Sequence, residues 1–428
     1  MSILGALFSG VSGLQAESTA MGVISDNIAN ANTTAYKDTA THFSTLVTQI
    51  PTVTSYQPGG VVARPLTQID KQGLLQGTSS GTDLAISGGG FFVVNNDAND
   101  QGTFTFTRAG SFTIDANGNL KNSAGFFLQG QKLSLAQSQA IAAGNISQLT
   151  ATALTSLSTV NVNGLSGSAQ PTQTITLAAN LPATDTPASA PHVITVPVFD
   201  SQGAEHDLSL TFTATATANQ WQVSASIAGG TVAIAAGDDI VQFNPDGTLG
   251  AGTTFNAAGA LSVTAWTTGG AAVPQTLAMN LGTVGLSNGL TQFGSAFSVS
   301  QVNQNGLQLG NFTGITIDQN GIVTANFDNG LKQSIYLIPV ATFPDPDGLA
   351  PQSGNVYLQT TTSGTFLLRQ AGQGSAGQIA PSSLESSTVD IAQEFANLIV
   401  TQRAYDANAK VITTSDQMLQ TLIQSVPQ

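Results

Sequence analysis

Residue patterns that could support catalysis occur in this chain, but each lacks the surroundings that its chemistry needs. Two segments match the Gly-x-Ser-x-Gly pattern of a serine nucleophile, GTSSG at 77–81 and GLSNG at 285–289. Such a nucleophile needs a buried strand before it and a helix after it. GLSNG lies among turn residues with no helical pattern behind it, and a chain with 45 glycines produces such matches by chance. We therefore predict that the protein is not an enzyme.

A third motif, GQGSAG at 372–377, fits the Gly-x-Gly-x-x-Gly pattern of dinucleotide-binding loops. That loop must join a strand to a helix inside a βαβ unit. Pro381 follows closely and no such unit surrounds the segment. We interpret it as a flexible connecting segment and expect no cofactor.

The histidine and acidic residues form no convincing metal site. Asp200, Glu205, His206 and Asp207 are close in sequence. On a strand, alternation would point His206 away from Glu205 and Asp207. We therefore interpret this group as a surface turn. The segment DPDG at 345–348 lacks the remaining ligands of a calcium loop, so we expect no metal.

Composition excludes further classes of function. Charged residues make up 8% of the 428 residues, against roughly 25% in a typical soluble protein. The net charge is −14, and no lysine or arginine lies between Lys132 and Lys332. A nucleic-acid-binding protein needs clustered cations, so we expect no nucleic acid as partner. The absence of cysteine excludes disulfides and thiolate metal sites.

The N-terminal segment has no basic residue before Lys37, and glycine and serine interrupt its apolar run. It therefore does not fit a Sec-type signal peptide. No stretch approaches the ~18 uninterrupted apolar residues of a membrane span. We expect no membrane span, and expect any export to use a route without a conventional leader.

Both ends of the chain carry apolar residues at steps of three and four. This spacing predicts amphipathic, coiled-coil-like helices. In the N-terminal helix the positions are Leu4, Leu7, Val11, Leu14, Met21 and Ile28. In the C-terminal helix they are Ile391, Phe395, Leu398, Tyr405, Ala409, Ile412, Leu419 and Ile423. Ser387, three residues before Asp390, predicts a capping box at the start of the second helix.

The N-terminal pattern stops in the segment DNIANANTTAYK at 26–37. Asparagine and threonine favour turns, because their side chains compete for backbone hydrogen bonds. We predict a helix-terminating turn here, formed by Asn27, Asn30, Asn32, Thr33 and Tyr36.

Between the helices, short alternating runs and Gly/Asn/Asp turns predict an all-β body from about Leu74 to Tyr357. One turn unit recurs, as TIDANGNL at 113–120 and TIDQNGIV at 316–323. The predicted fold is mainly β with helical termini and nested, discontinuous β domains. The predicted parts are a terminal helical domain (1–30 plus 386–428), a connecting stalk (31–71 plus 366–385), an outer β domain (72–149 plus 291–365) and an inner β domain (150–290).

The N-terminal helix is a poor candidate for independent stability. Gly5, Gly10, Gly13 and Gly22 would lie inside it, and each costs ~1 kcal/mol relative to alanine. Glycine becomes useful where helices of neighbouring chains approach closely. We therefore predict that the ends fold fully on polymerisation. An ordinary intramolecular coiled-coil stalk is the alternative.

Several segments resemble the rod and hook family of bacterial flagellar axial proteins. Residues 6–37 are similar to its N-terminal signature, in which an apolar helix ends in an Asn-rich turn followed by Thr, an aromatic residue and Lys. Residues 386–423 look like its C-terminal helix. The segments 82–94, 106–120 and 348–364 are similar to motifs of its β body.

Within that family, rod-type members resemble a shorter chain that lacks the inner domain. Here the segment 196–213, Trp221 and the segment 241–249 look like the inner domain of hook-type members. The stretch 250–292 matches no motif. The resemblance therefore favours a hook-type member.

The resemblance implies a structural subunit that polymerises helically into the extracellular hook, a flexible, curved, hollow tube. That tube joins rod to filament and transmits torque as a universal joint, with the paired helices lining its inner wall. The implied partners are the distal rod protein, the hook–filament junction protein, a hook cap scaffold and the flagellar type III export apparatus. Two alternatives stay open: a distal rod subunit, and a secreted carbohydrate-binding or adhesive β protein, which would leave the paired helices unexplained.

Overall fold

A computed structural model describes residues 3–46, 59–144, 153–163, 165, 167–255, 261–267 and 270–425. The predicted fold class is confirmed, because long terminal helices flank a body made of β-sheets. The helices are α1 (Ile3–Ala29), α2 (Leu135–Ala142) and α3 (Ile391–Ser425). Within the described residues, no helix combines the length and apolar character that a membrane crossing needs.

The strands are numbered in chain order. The first ten are β1 (Thr39–Thr45), β2 (Val61–Thr67), β3 (Leu75–Gly77), β4 (Leu84–Ser87), β5 (Phe91–Asn95), β6 (Phe104–Thr107), β7 (Phe112–Ile114), β8 (Leu120–Asn122), β9 (Phe127–Lys132) and β10 (Ser158–Thr159). The next ten are β11 (Ser168–Gln170), β12 (Thr174–Asn180), β13 (His192–Phe199), β14 (Glu205–Ala214), β15 (Gln220–Ile227), β16 (Gly230–Ile234), β17 (Ile240–Gln242), β18 (Leu261–Trp266), β19 (Gln275–Asn280) and β20 (Ser298–Gln304). The last ten are β21 (Leu307–Gly310), β22 (Phe312–Ile317), β23 (Ile322–Phe327), β24 (Lys332–Leu337), β25 (Pro339–Thr342), β26 (Ala350–Gln352), β27 (Val356–Leu358), β28 (Leu367–Gln370), β29 (Gln378–Pro381) and β30 (Ser383–Glu385).

The chain folds into two compact units. Unit 1 comprises Met1–Asn163, Ile315–Ala325 and Gln333–Gln428, and unit 2 comprises Gly164–Gly314 and Asn326–Lys332. The finer, four-part division stays a prediction.

Unit 2 is built around one apolar core. Strands β13, β14, β15 and β17 form an antiparallel sheet in that order, and a second sheet has the order β16, β18, β19, β12, β20. Strand β14 alternates buried and exposed positions, which is typical of a sheet with one face on a core. Phe212 and Trp221 of the first sheet pack in the same core as Ile175 and Leu277 of the second.

Unit 1 contains strands β9, β5, β6, β27 and β26, which are neighbours in this order within a larger sheet. Strand β5 is buried along its whole length. Its Phe91 meets Phe343 and Tyr357 edge-on, with ring centroids 5.9 and 5.8 Å apart. Such edge-to-face pairs add to the stabilisation from burial alone.

The recurring turn unit adopts the same structure in both places. Asp115 Oδ1 accepts the backbone N–H groups of Asn117 and Asn119, each at 2.8 Å. Asp318 Oδ1 accepts those of Asn320 and Ile322 at 3.0 and 2.8 Å. The glycine inside each unit has positive φ, 82° and 85°, a conformation that glycine adopts without strain. The turn prediction is confirmed.

The start of α3 differs from the predicted capping box. Asp390 Oδ1 accepts the backbone N–H groups of Ala392 and Gln393 at 2.9 and 3.2 Å. Ser387 instead accepts the N–H of Val389. The prediction of Ser387 as the cap is therefore wrong. Asp390 caps the helix because its carboxylate also carries the charge that suits a helix N-terminus.

Candidate assembly surface on the terminal helices

Helices α1 and α3 pack through small residues rather than through the predicted apolar stripe. The buried face of α1 consists of Gly10, Gly13, Ala16, Ala20, Ile24 and Asn27. A Cβ atom on Gly10 would lie 2.9 Å from Cγ1 of Ile412, and one on Gly13 would lie 2.7 Å from Nδ2 of Asn408. The two helices are therefore antiparallel, and glycine permits their close approach.

The predicted stripe of α1 points away from this contact. Leu4 is 73% exposed and Val11 is 55% exposed, while Leu7, Leu14, Met21 and Ile28 are half-buried. At ~100° per residue, the stripe points about 120° from the small-residue face. These side chains therefore form an apolar surface that α3 does not cover.

The predicted positions of α3 divide between two environments. Ile412 and Leu419 are half-buried, as are Leu398 and Ala409. Ile391, Phe395, Tyr405 and Ile423 are exposed. The α3 residues that are buried or half-buried also include polar ones, namely Glu394, Asn397, Thr401, Asn408 and Ser415.

Helix α3 has a second exposed apolar row that was not among the predicted positions. It comprises Val400, Val411, Met418 and Leu422. The sequence predicts one apolar stripe on each helix. In the structure, α3 has apolar side chains on both sides of its contact with α1. The steps of 11, 7 and 4 residues between them place all four on one side of a helix, and this spacing is a usable sequence signal. Contiguous exposed apolar surface is typical of a protein–protein interface.

The residues of the predicted helix-terminating turn lie together at the end of α1. Asn27 is buried; its Nδ2 donates to the Thr39 carbonyl oxygen at 2.9 Å, and its Oδ1 accepts the Thr39 N–H at 3.0 Å. Tyr36 Oη donates to the same Oδ1 at 3.2 Å. Asn30 Oδ1 accepts the hydroxyl of Thr33 at 3.0 Å, and Asn32 is exposed. Asn27 therefore joins the helix end to strand β1.

A buried ion cluster lies where this turn meets the C-terminal segment, and the sequence reasoning missed it. Lys37 Nζ lies 2.5 Å from Glu385 Oε1, and Arg108 Nη1 lies 3.4 Å from Glu385 Oε2. The Lys37 and Glu385 side chains have no solvent exposure. Glu385 Oε1 also accepts the Gly73 N–H at 2.7 Å. Burial lowers the pKa of Lys37, an effect that the Glu385 carboxylate opposes and the Arg108 guanidinium reinforces.

The predicted surface turn near residue 200 is wrong in part. Asp200 and His206 are buried, and His206 Nε2 lies 3.1 Å from Asp200 Oδ2. Burial raises the pKa of Asp200, but hydrogen bonds from His206, Ala204 and Gln202 outweigh it and leave the pKa below its ordinary value. The pair closes a turn and leaves Glu205 and Asp207 exposed. Among the described residues, no group of three or more acidic or histidine side chains could hold a metal.

The enzyme-like motifs have structural roles. Residues 77–81 lie at the end of β3 and in the turn after it, and residues 285–289 lie in turn and bend structure that no helix follows. Residues 372–377 join β28 to β29, closed by a 2.9 Å bond from the Gly372 N–H to the Gly377 carbonyl. The segment is a connection between two strands, and its flexibility stays a prediction. Asp347 of DPDG accepts the N–H of Ile69 at 2.8 Å.

Four family models match segments of the chain. The flagella basal body rod protein model matches residues 7–37 and the flagellar basal body rod FlgEFG protein C-terminal model matches 380–425. The flagellar hook protein FlgE/F/G D1 domain model matches 85–164. The flagellar basal body protein FlaE D2 domain model matches 172–307. Together they define a flagellar axial protein.

Full-length relatives show to which family of flagellar axial proteins the chain belongs. The chain is 36% identical to flagellar hook protein FlgE of Rhizobium meliloti, with 99% of each chain covered. It is 31% identical to that of Caulobacter vibrioides, with 99% of each covered, and 33% identical to that of Escherichia coli, with 96% of this chain and 98% of the relative covered. The chain belongs to the flagellar hook protein family. Its members are non-enzymatic structural proteins of the extracellular flagellar hook, so the predictions of family, function class and location are confirmed.

Proposed function

We propose that copies of this chain polymerise helically into the hook through their terminal helices. The observation that carries the proposal is the apolar stripe of α1, which includes Leu4 and Val11 and which α3 leaves exposed. In a tube of packed helices, this stripe and both apolar rows of α3 would be covered by neighbouring copies. Covering them would add hydrophobic stabilisation of ~25 cal/mol for each Å² removed from water. The helices would then become fully rigid only in the polymer.

The resulting tube is curved and hollow, joins rod to filament, and transmits torque as a universal joint. Bending requires contacts outside the helical wall that can slide. Unit 2 carries carboxylates but no arginine, and Lys332 is its one lysine. Contacts between copies of unit 2 therefore have few opportunities for ion pairs, which would fix particular geometries. We propose that the inner domain (150–290) makes these weaker, slidable contacts within the predicted four-part division.

The proposed partners are the distal rod protein at one end, the hook–filament junction protein at the other, and a hook cap scaffold during growth. Export through the flagellar type III apparatus would thread the chain unfolded. A chain without cysteine forms no disulfide that would hinder this passage. Cross-linking of exported protein at hook tips would identify these partners.

Polymerisation of the purified chain tests the proposal. The double variant Leu4→Asn, Val11→Asn alters only exposed side chains, so the folded monomer is expected to persist while polymer formation falls. Gln15→Asn, at an exposed polar position of the same helix, is the matched control. Sedimentation and electron microscopy would count polymers. Normal tubes from the double variant would exclude the stripe as the assembly surface.

A further inference from the structure

A groove of about 420 Å³ lies between α1, β1 and α3, within unit 1. Apolar side chains of Val23, Phe43 and Val400 line it, together with the carboxylates of Asp38 and Glu394. Among the described residues, no lysine or arginine lines the groove. The groove therefore combines apolar walls with negative charge.

Two side-chain oxygen atoms in this groove lack a hydrogen-bond partner. Oε2 of Glu394 and Oγ1 of Thr41 are buried and have no hydrogen-bond partner among the described residues. Asp38 already pairs with Lys71, at 3.1 Å. Burial raises the pKa of Glu394, and Asp38 and Asp390 raise it further against the opposing effects of Asn27 and Lys71. A buried polar atom without a partner is costly, so the groove is suited to a cationic group with several donors.

Helix α3 carries such groups on its opposite side. Arg403 and Lys410 are exposed, and within the described chain neither has a carboxylate within 4.0 Å. At ~100° per residue, both point about 150° or more away from the α1 contact. They therefore cannot reach the groove of their own chain, whereas a second copy could present them to it.

We propose that, in the hook polymer, this groove binds Arg403 of a neighbouring copy. The inference rests on the proposed polymerisation and specifies one of its contacts. A guanidinium presents five donors in a plane, enough for Glu394 Oε2 and Thr41 Oγ1 together. Its apolar stem can pack along Phe43 and Val400 while its charged head meets the carboxylate. Lysine offers a single ammonium, so Lys410 is the poorer match.

This contact would fix the register between neighbouring helices. The exposed apolar rows are non-directional and permit sliding, whereas a partly buried ion pair selects one alignment. Because every copy carries both partners, one pair could repeat along the whole tube.

Charge reversal tests the inference. Arg403→Glu is expected to raise the concentration needed for polymerisation by about tenfold or more, because it places a carboxylate against Glu394. Lys410→Glu, on the same exposed face, is the matched control and is expected to have a much smaller effect. Adding Glu394→Arg to Arg403→Glu is expected to restore assembly, since each copy then carries the reversed pair.

The outcomes separate this contact from polymerisation itself. Equal effects of Arg403→Glu and Lys410→Glu, or a larger effect of Lys410→Glu, would overturn the assignment. Among the residues that the structure describes, Arg403 has no carboxylate within 4.0 Å, so this comparison decides the question even if a variant with Glu394→Arg fails to fold. A folded double variant that stays as defective as Arg403→Glu would also overturn it. An unaltered chain that never polymerises would instead contradict the proposed function.

Discussion

Lys37 and Glu385 lie 348 positions apart in the chain, and their side chains meet at 2.5 Å without solvent exposure. Lys37 ends the N-terminal signature and Glu385 ends strand β30, just before α3. The pair therefore joins the two ends of the chain at the base of the terminal helices. Arg108, from the β body, approaches the same carboxylate and stacks over Phe91 at 5.3 Å.

Removing Lys37 should destabilise unit 1. Lys37→Met leaves the Glu385 carboxylate buried with only Arg108 as a charged partner, and breaking a buried pair in this way costs about 3–5 kcal/mol. Denaturant unfolding followed by far-ultraviolet circular dichroism would measure the loss. Trp221 and Trp266, the chain's two tryptophans, both belong to unit 2. Their fluorescence transition should stay unchanged and serve as the internal control.

A second variant tests whether the unpaired charge of Glu385 causes the loss of stability in Lys37→Met. Lys37→Met combined with Glu385→Gln removes both charges, so much of the lost stability should return. Lys132→Met, at an exposed position, should change the free energy of unfolding by less than ~0.5 kcal/mol. If Lys37→Met unfolds like the unaltered chain, the ion pair does not stabilise unit 1.

The sequence predicted the existence and period of the terminal helices, but not which face of α1 meets α3. Hydropathy identifies large apolar residues such as Leu4 and Val11, whereas the actual contact uses glycine and alanine, which carry a weak hydropathic signal. The rule that large apolar residues pack inside the chain therefore places the stripe of α1 on the wrong side of the helix. That stripe is a surface of the monomer, and the short steps of its pattern do not say which molecule covers it.

The Lys37–Glu385 ion pair could not be predicted from the sequence, for a different physical reason. Its partners are joined by tertiary structure alone, and a lysine after an Asn-rich turn carries no mark of burial. The turns at Asp115 and Asp318 could be predicted from the sequence, because each carboxylate accepts hydrogen bonds from backbone groups only two to four residues away. Local hydrogen bonds leave a sequence signature that long-range ion pairs lack.

Close packing at Gly10 should make it more sensitive to substitution than Gly22. Alanine inside a helix is about 1 kcal/mol more favourable than glycine. Gly22→Ala should therefore stabilise α1, because a Cβ there meets nothing within 4 Å. Gly10→Ala places its Cβ 2.9 Å from Ile412 Cγ1, so the clash should cancel the gain or reverse it. Thermal melting at 222 nm would compare the two, and equal stabilisation would show that the helices do not approach this closely.

The buried Asn27 should be the most important residue of the turn. Asn27→Ala removes its bonds to Thr39 and Tyr36 and leaves backbone groups unsatisfied, at a cost of about 1–3 kcal/mol. Asn32→Ala, at an exposed position, is the matched control and should be nearly neutral. Hydrogen exchange of the residues around Thr39 would report the change directly. Similar hydrogen exchange in the two variants would show that Asn27 does not hold the end of α1 to strand β1.

The stability of unit 2 and the stability of the terminal helices should change in opposite directions as the pH falls. The pKa of Asp200 lies below its ordinary value, so its contribution to unit 2 is present above about pH 4, near the unfolded pKa, and is lost as the pH falls through the lower folded value. The pKa values of Glu17 and Glu394 are raised, chiefly by burial. Protonation of these two carboxyls therefore favours the folded helices as the pH falls from neutrality through their folded pKa values.

Tryptophan fluorescence and the 222 nm signal can follow the two effects separately. Asp200→Asn should lower the free energy of unfolding of unit 2 at pH 6 by about 1.5–3 kcal/mol, because it weakens hydrogen bonds made to a charged group. That difference from the unaltered chain should shrink once Asp200 itself is protonated. A difference that stays constant down to pH 2 would show that the Asp200 charge is not responsible.

The central claim is that the apolar stripe of α1 is a surface that other copies cover. Because the chain has no cysteine, Val11→Cys introduces a single thiol at a position that is 55% exposed. Its rate of reaction with a maleimide, measured in monomers and in assembled polymer, tests the claim directly. We predict rapid labelling of monomers and at least about tenfold slower labelling in the polymer, because packed interface cores exclude water. Equal rates in the two states would contradict the account.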